Sequence, residues 1–265
     1  MRGMRLPAAY RALSLALAAL LSGCASDPPP PDWLLEAQGS LRRASEAYLS
    51  GDTRVANAEF ERARRELSRT GRAEWVARGE LTRCALRLAS LETLGNAEGS
   101  APCPAFEPLR ADAPVAEQAY ADFLRGPLAA ARVPLLPAAQ QAAAAAGTDA
   151  ARREAAVRAI EDPVSRLVAA GAALRDGVAP PGLITLAIET ASAQGWRRPL
   201  LAWLTFQLKR AQAAGEREAA DALQRRIDLV LGSSSSAPRT TPAGAASAPA
   251  AATVPAASVG RQAPP

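Results

Sequence analysis

The chain has 265 residues, with 22 prolines, 31 basic and 26 acidic side chains, three cysteines and no histidine. Without histidine, Ser-His-Asp triads, imidazole acid–base catalysis and the usual zinc sites are excluded, and no metal or cofactor is expected. The formal charge of +5 is a property of the ends: Arg2, Arg5, Arg11, Arg239 and Arg261 lie outside residues 24–231, which hold every acid, so the middle is balanced and a nucleic-acid partner is not expected.

The N-terminus opens with three arginines and no acid over residues 1–11, followed by a ten-residue apolar run from Ala12 to Leu21 that is too short to span a bilayer as a helix. The run ends in Leu21-Ser22-Gly23-Cys24, which closely resembles the lipobox of bacterial lipoproteins: a branched apolar residue, two small ones, then cysteine. The resemblance implies that residues 1–23 are a signal peptide cut after Gly23. It further implies that the Cys24 thiol takes a diacylglycerol and that the new amino group is acylated, with palmitate as the usual chain. A thiolate is the strongest nucleophile available for such a transfer. Ala25 and Ser26, with no aspartate directly after the cysteine, imply sorting to the outer membrane with the protein facing the periplasm. An ordinary cleavable leader with an incidental cysteine is the alternative. Residues 24–32 then form a tether stiffened by Pro28 to Pro31, expected to be extended and to hold the helical region off the lipid.

From residue 33 to 231 the chain reads as helix after helix, and no stretch alternates as a strand should. A first helix is expected over Trp33–Leu49 with Asp32 as its cap, and a second over Thr53–Leu67 with Ala56, Phe60, Ala63 and Leu67 on one face. Ala44, Tyr48, Gly51, Asp52, Ala56, Phe60 and Ala63 resemble one tetratricopeptide repeat, in which small residues let two antiparallel helices approach and a Gly-Asp turn joins them. Arg43 and Ser68 depart from that pattern, where a large apolar residue and a proline are usual. A generic helical hairpin is the alternative.

Further helices are expected over Trp75–Leu94, Pro114–Leu124, Pro137–Ala146, Ala150–Ile160 and Pro163–Arg175, punctuated by proline and glycine. Alanine gives helix propensity but little buried area, so Pro137–Ala159 is expected to be the most mobile part. Pro180 and Pro181 open a helix through Ala193, Pro199 starts the next, and Ala220, Leu223, Ile227 and Leu231 line the last. About ten helices in pairs give an all-α array of antiparallel hairpins, a tetratricopeptide-like solenoid. Residues 232–265, rich in Ser, Pro, Ala and Thr, form a tail expected to be disordered.

With Cys24 acylated, Cys84 and Cys103 remain in an exported chain, and that number predicts a disulfide between them. Two free thiols, one buried and one exposed, are the alternative. Trp196-Arg197-Arg198 joins an indole to two guanidiniums and could read an anionic ligand. A packed tryptophan with solvated arginines is the simpler account, because cations are disfavoured at a helix start. Together these features lead to an expectation of a lipid-anchored, periplasm-facing helical scaffold without enzymatic activity that binds another envelope protein. A protein that binds or modifies the sacculus with carboxylates and arginines, and a plain spacer, are the other readings.

Overall fold

A computed structural model of the chain describes residues 29–92 and 103–235, with side chains through residue 232. The expected acylation signal at Leu21–Cys24, most of the expected tether and most of the C-terminal tail lie outside the described residues. Those described are all-α: ten α-helices and two 3-10 helices, with no strand among them.

The first helix, α1 (Asp32–Ser50), starts one residue before Trp33, so Asp32 is its first residue rather than its cap, and Pro31 occupies the cap position. An acid there still suits the positive end of the helix. Gly51 ends α1 at φ 96°, a left-handed conformation that glycine adopts without a Cβ penalty. Asp52 then accepts from the Val55 N–H at 3.0 Å and caps α2 (Thr53–Ser68). The two helices fold back on one another through Ala44, Tyr48, Leu49, Ala56 and Phe60, all buried in one small cluster.

Next come α3 (Ala73–Ala89), a 3-10 turn at Glu107–Asp112, α4 (Val115–Arg125), a second 3-10 turn at Ala130–Leu135, and the short alanine-rich α5 (Ala138–Ala145) and α6 (Ala150–Arg158). The chain closes with α7 (Pro163–Arg175), α8 (Pro181–Ala193), α9 (Arg197–Ala214) and α10 (Arg217–Ser235). Asp149 and Asp162 cap α6 and α7, accepting from the N–H groups of Arg152 and Ser165. Three boundaries differ from the sequence reading. Helix α3 stops at Ala89 rather than near Leu94, because Leu91 turns the backbone to φ 57° while its side chain still packs on the core. Helix α9 begins at Arg197, two residues before Pro199. Helix α10 runs on to Ser235, and Leu231 is 47% exposed rather than part of its inner face.

The main core is built from α3, α4 and α7 to α10. Trp203 of α9 is its largest fully buried side chain, and its Nε1–H donates to the Ala89 carbonyl at 3.0 Å, where α3 ends. Helices α3 and α7 cross so closely at Gly171 that an added Cβ would sit 2.6 Å from the Leu88 carbonyl oxygen. The alanine-rich α5 and α6 add Ala143 and Val157 to the same core, and polar anchors hold them as well. Gln140 is buried and donates to the Ser165 carbonyl at 3.0 Å. Arg153 is buried and reaches Asp176 at 2.9 Å and the Gly147 carbonyl at 2.7 Å. Asp176 also accepts from Arg175 at 2.7 Å, and Arg175 donates to the Phe123 carbonyl of α4 at 2.7 Å. One carboxylate thus ties α6, α7 and α4 together. Finally, α9 returns to pack on α1, so the last part of the chain meets the first.

Candidate functional site

The residues that resemble a tetratricopeptide unit are packing residues: Ala44, Tyr48, Ala56, Phe60 and Ala63 are all buried. Tyr48 does more than fill space. The Arg198 guanidinium lies 4.3 Å above its ring, Nε donates to the Tyr48 carbonyl at 2.6 Å, Nη1 to Glu92 at 2.8 Å and Nη2 to Thr53 Oγ1 at 2.6 Å. Burial, reinforced by the nearby Glu92 carboxylate, pushes the Tyr48 phenol well above its ordinary range, so it stays neutral.

Arg198 is therefore not available to an anionic ligand. Its donors are taken up in bracing the start of α9 against the turn between α1 and α2, and this also explains why cations occupy a first helical turn that the dipole disfavours. Trp196 is half-buried between the two core clusters. Arg197 is half-buried, and its Nε makes no hydrogen bond. These three residues form a joint rather than an open reading surface.

Cys84 on α3 and Cys103 in the following loop lie at disulfide distance, with Cα atoms 5.4 Å apart, and both are buried. They form one wall of a cleft of about 400 Å³, which Asn57, Arg83, Arg87, Phe106 and Arg198 complete. The repeat-like pair, the cysteines and Arg198 thus converge, although the sequence separates them widely. The charges in this cleft answer one another. Arg83 donates to Asn57 at 3.1 Å and covers the Phe60 ring, and Arg87 stands 3.7 Å from Glu92.

A second hollow, about 310 Å³, opens between α3, α4 and the second 3-10 turn, and its walls are mostly apolar: Leu81, Ala116, Tyr120, Leu135 and Pro137. Burial raises the Tyr120 phenol well above its ordinary range. At its edge Glu117 accepts from Arg78 Nε at 2.5 Å, while its other carboxylate oxygen makes no hydrogen bond. Leu135 in its wall is partly exposed, and Val115, which precedes the wall residue Ala116 in sequence, is 64% exposed. The sequence reading missed this hollow. Its signal was the Val133-Pro134-Leu135-Leu136-Pro137 stretch, where prolines stop a helix from burying consecutive apolar residues.

Carboxylates elsewhere serve arginines. The Arg43 hydrogen bond holds Glu59 below the ordinary glutamate range, and Arg110 first, then Arg125, do the same for Glu107. Burial works against ionisation of Asp122, but Arg132 and Arg110 outweigh it and hold the carboxyl low. Among the described residues no group of three or more Cys, Asp or Glu could hold a metal, and no helix is long and apolar enough to cross a membrane. Compared with protein-family models, with curated proteins and with solved structures, the chain has no match.

Proposed function

We propose that this chain is a lipid-anchored helical scaffold of the bacterial outer membrane, facing the periplasm, whose tetratricopeptide-like hairpin array binds another envelope protein and carries out no reaction of its own. The observation that carries this reading is the apolar hollow with partly exposed Leu135 in its wall. Solvated apolar groups beside a concavity of this size favour occupation by a partner's side chains. The state of the acids supports binding over catalysis. Glu59, Glu107 and Asp122 are held low by arginines, whereas a general acid in a sacculus-cleaving enzyme needs a carboxyl held high. The lipobox residues Leu21 to Cys24 support the anchor, with α1 beginning only eight residues after Cys24.

Photoreactive residues placed at Val115, Ala116 and Leu135 in intact cells test the binding role, with Lys209 and Arg226 as controls on other helices. Capture of one envelope protein from the three hollow positions and not from the controls supports the scaffold. Uniform or no capture in correctly anchored protein refutes the hollow as the docking site and favours a spacer. Cys24→Ala should abolish incorporation of labelled fatty acid, and unchanged labelling would sink the anchor.

A further inference from the structure

The end of the molecule where α1 begins has a composition of its own. Trp33 of α1 meets Trp75 of α3 edge to face, with ring centroids 5.7 Å apart. Arg72 and Arg78 lie over the Trp75 ring at 5.9 and 5.0 Å. Leu35, two residues after Trp33 on the first turn of α1, is 51% exposed. Beneath, Ala37, Leu67 and Val76 form a small cluster of their own, which shows that the start of α1, the end of α2 and the start of α3 share this end. The opposite end of α1 carries Tyr48 and the Arg198 brace.

We propose that this tryptophan–arginine end, with Leu35 at its tip, rests on the lipid surface into which Cys24 is anchored, and so fixes which way the apolar hollow and the cleft face. The inference rests on the lipid-anchor reading above. Cys24 to Pro31 is eight residues, and at no more than about 3.5 Å per residue Asp32 stays within about 30 Å of the acylated thiol. The start of α1 is therefore the part of the domain that the tether confines to the membrane. A tether this short raises the effective concentration of that end at the surface, so a contact too weak to recruit a free protein becomes populated. The residue types match the place: indole rings settle at the headgroup level, and arginine stems lie along apolar surface while their heads stay wet. Arg69 pairs with Glu66 and Arg72 with Glu74. With those charges paired, apolar and aromatic contact carries the interaction, and anionic lipid is not required. The proline stiffening of the tether then sets direction more than distance.

The test compares two positions on one helix. Nitroxide labels go on Leu35→Cys or Ser50→Cys in the oxidised, acylated full-length protein, reconstituted in phosphatidylcholine vesicles. Ser50 is exposed at the other end of α1, about 22 Å away at 1.5 Å per residue. The expected result is a several-fold loss of access to a water-soluble nickel relaxant at Leu35 on reconstitution, with no change at Ser50. Equal access at both sites, in protein that carries its acyl chains by mass and floats with the vesicles, overturns the surface contact and leaves the anchor standing. Protein without acyl mass fails the anchor reading, and this proposal falls with it. A label at Leu35 that is equally shielded in soluble Cys24→Ala protein also overturns the proposal, because the shielding would then come from the protein.

Discussion

Two residues here illustrate how far a single side chain can reach. The Asp176 side chain bridges those of Arg153 and Arg175, and the three are only 7%, 6% and 14% exposed. Removing its charge leaves two guanidiniums facing each other without their counter-ion, so Asp176→Asn should cost about 3–5 kcal/mol, read as a lower denaturation midpoint with an unchanged slope. The sequence shows Asp176 only as a turn acid before Gly177, because its partner Arg153 lies 23 positions upstream. The surface acids behave differently. Glu107 and Asp122 have ordinary values of 4.5 and 3.8 and are held below them by arginines. Each therefore contributes stability that is complete above its ordinary value and is lost as pH falls through its depressed folded value. Denaturation series from neutral pH downward should show stability falling below about pH 4.5, and Asp122→Asn should flatten that fall. An unchanged acid slope in the variant would show that the Arg110–Asp122–Arg132 contacts add nothing. Arg198 shows the limit of local reading. Its place beside Trp196 and Arg197 reads most simply as a solvated arginine next to a packed tryptophan, and only the fold reveals that its acceptors sit on Tyr48, Thr53 and Glu92.

At the scale of elements, periodicity located nearly every helix, since an apolar stripe must face a core whatever the core is made of. It failed where packing outlasted the helix. Leu91 continues the apolar spacing of α3 but sits past the helix end at φ 57°. The two 3-10 turns were not anticipated, because Pro108 and Pro134 look like breaks and a single tight turn leaves no periodic trace. The cysteine pairing was expected from their number in a chain read as exported, and their distance supports it. With the two cysteines 19 residues apart, reduction should lower stability by about 3 kcal/mol in the chain-entropy view. Equal midpoints for oxidised and reduced protein would show that the bridge is absent in solution. Gly171 is a contest between two effects. Alanine inside a helix gains up to about 1 kcal/mol over glycine, but here its Cβ would meet the Leu88 backbone oxygen at 2.6 Å, and overpacking of this kind costs about 1–3 kcal/mol. Backbone cannot swing aside, so Gly171→Ala should destabilise. Gly39→Ala, whose Cβ meets only the flexible end of Arg43 at 3.3 Å, should not. Thermal melts of the pair decide it, and a stabilised Gly171→Ala would mean that α3 and α7 are not in contact there.

For the whole molecule the question is whether the packed helices unfold as one body or piece by piece. A linear stack transmits stability only to its neighbours, so its ends fray before its middle. Here α9 packs on α1, and Arg198 bonds to residues as many as 150 positions away. Those contacts join the last third of the chain to the first and predict a single cooperative transition. The four tryptophans are placed to test this. Trp33 and Trp75 mark the end where α1 starts, whereas Trp196 and Trp203 mark the joint and the main core. In urea, emission from variants retaining only one of the two pairs should fall together with the helical circular dichroism signal, with one midpoint for all three. Arg198→Ala should lower that midpoint by the equivalent of about 2–3 kcal/mol, since it removes charge-assisted bonds at a partly buried joint. The transitions should stay coincident, because Leu204, Leu208 and Ala211 still hold α9 in the main core with α3. Separate midpoints for the two tryptophan pairs in the otherwise unaltered protein would mean that the closure seen between α9 and α1 contributes no coupling. The chain would then behave as an open array whose docking faces order one pair at a time.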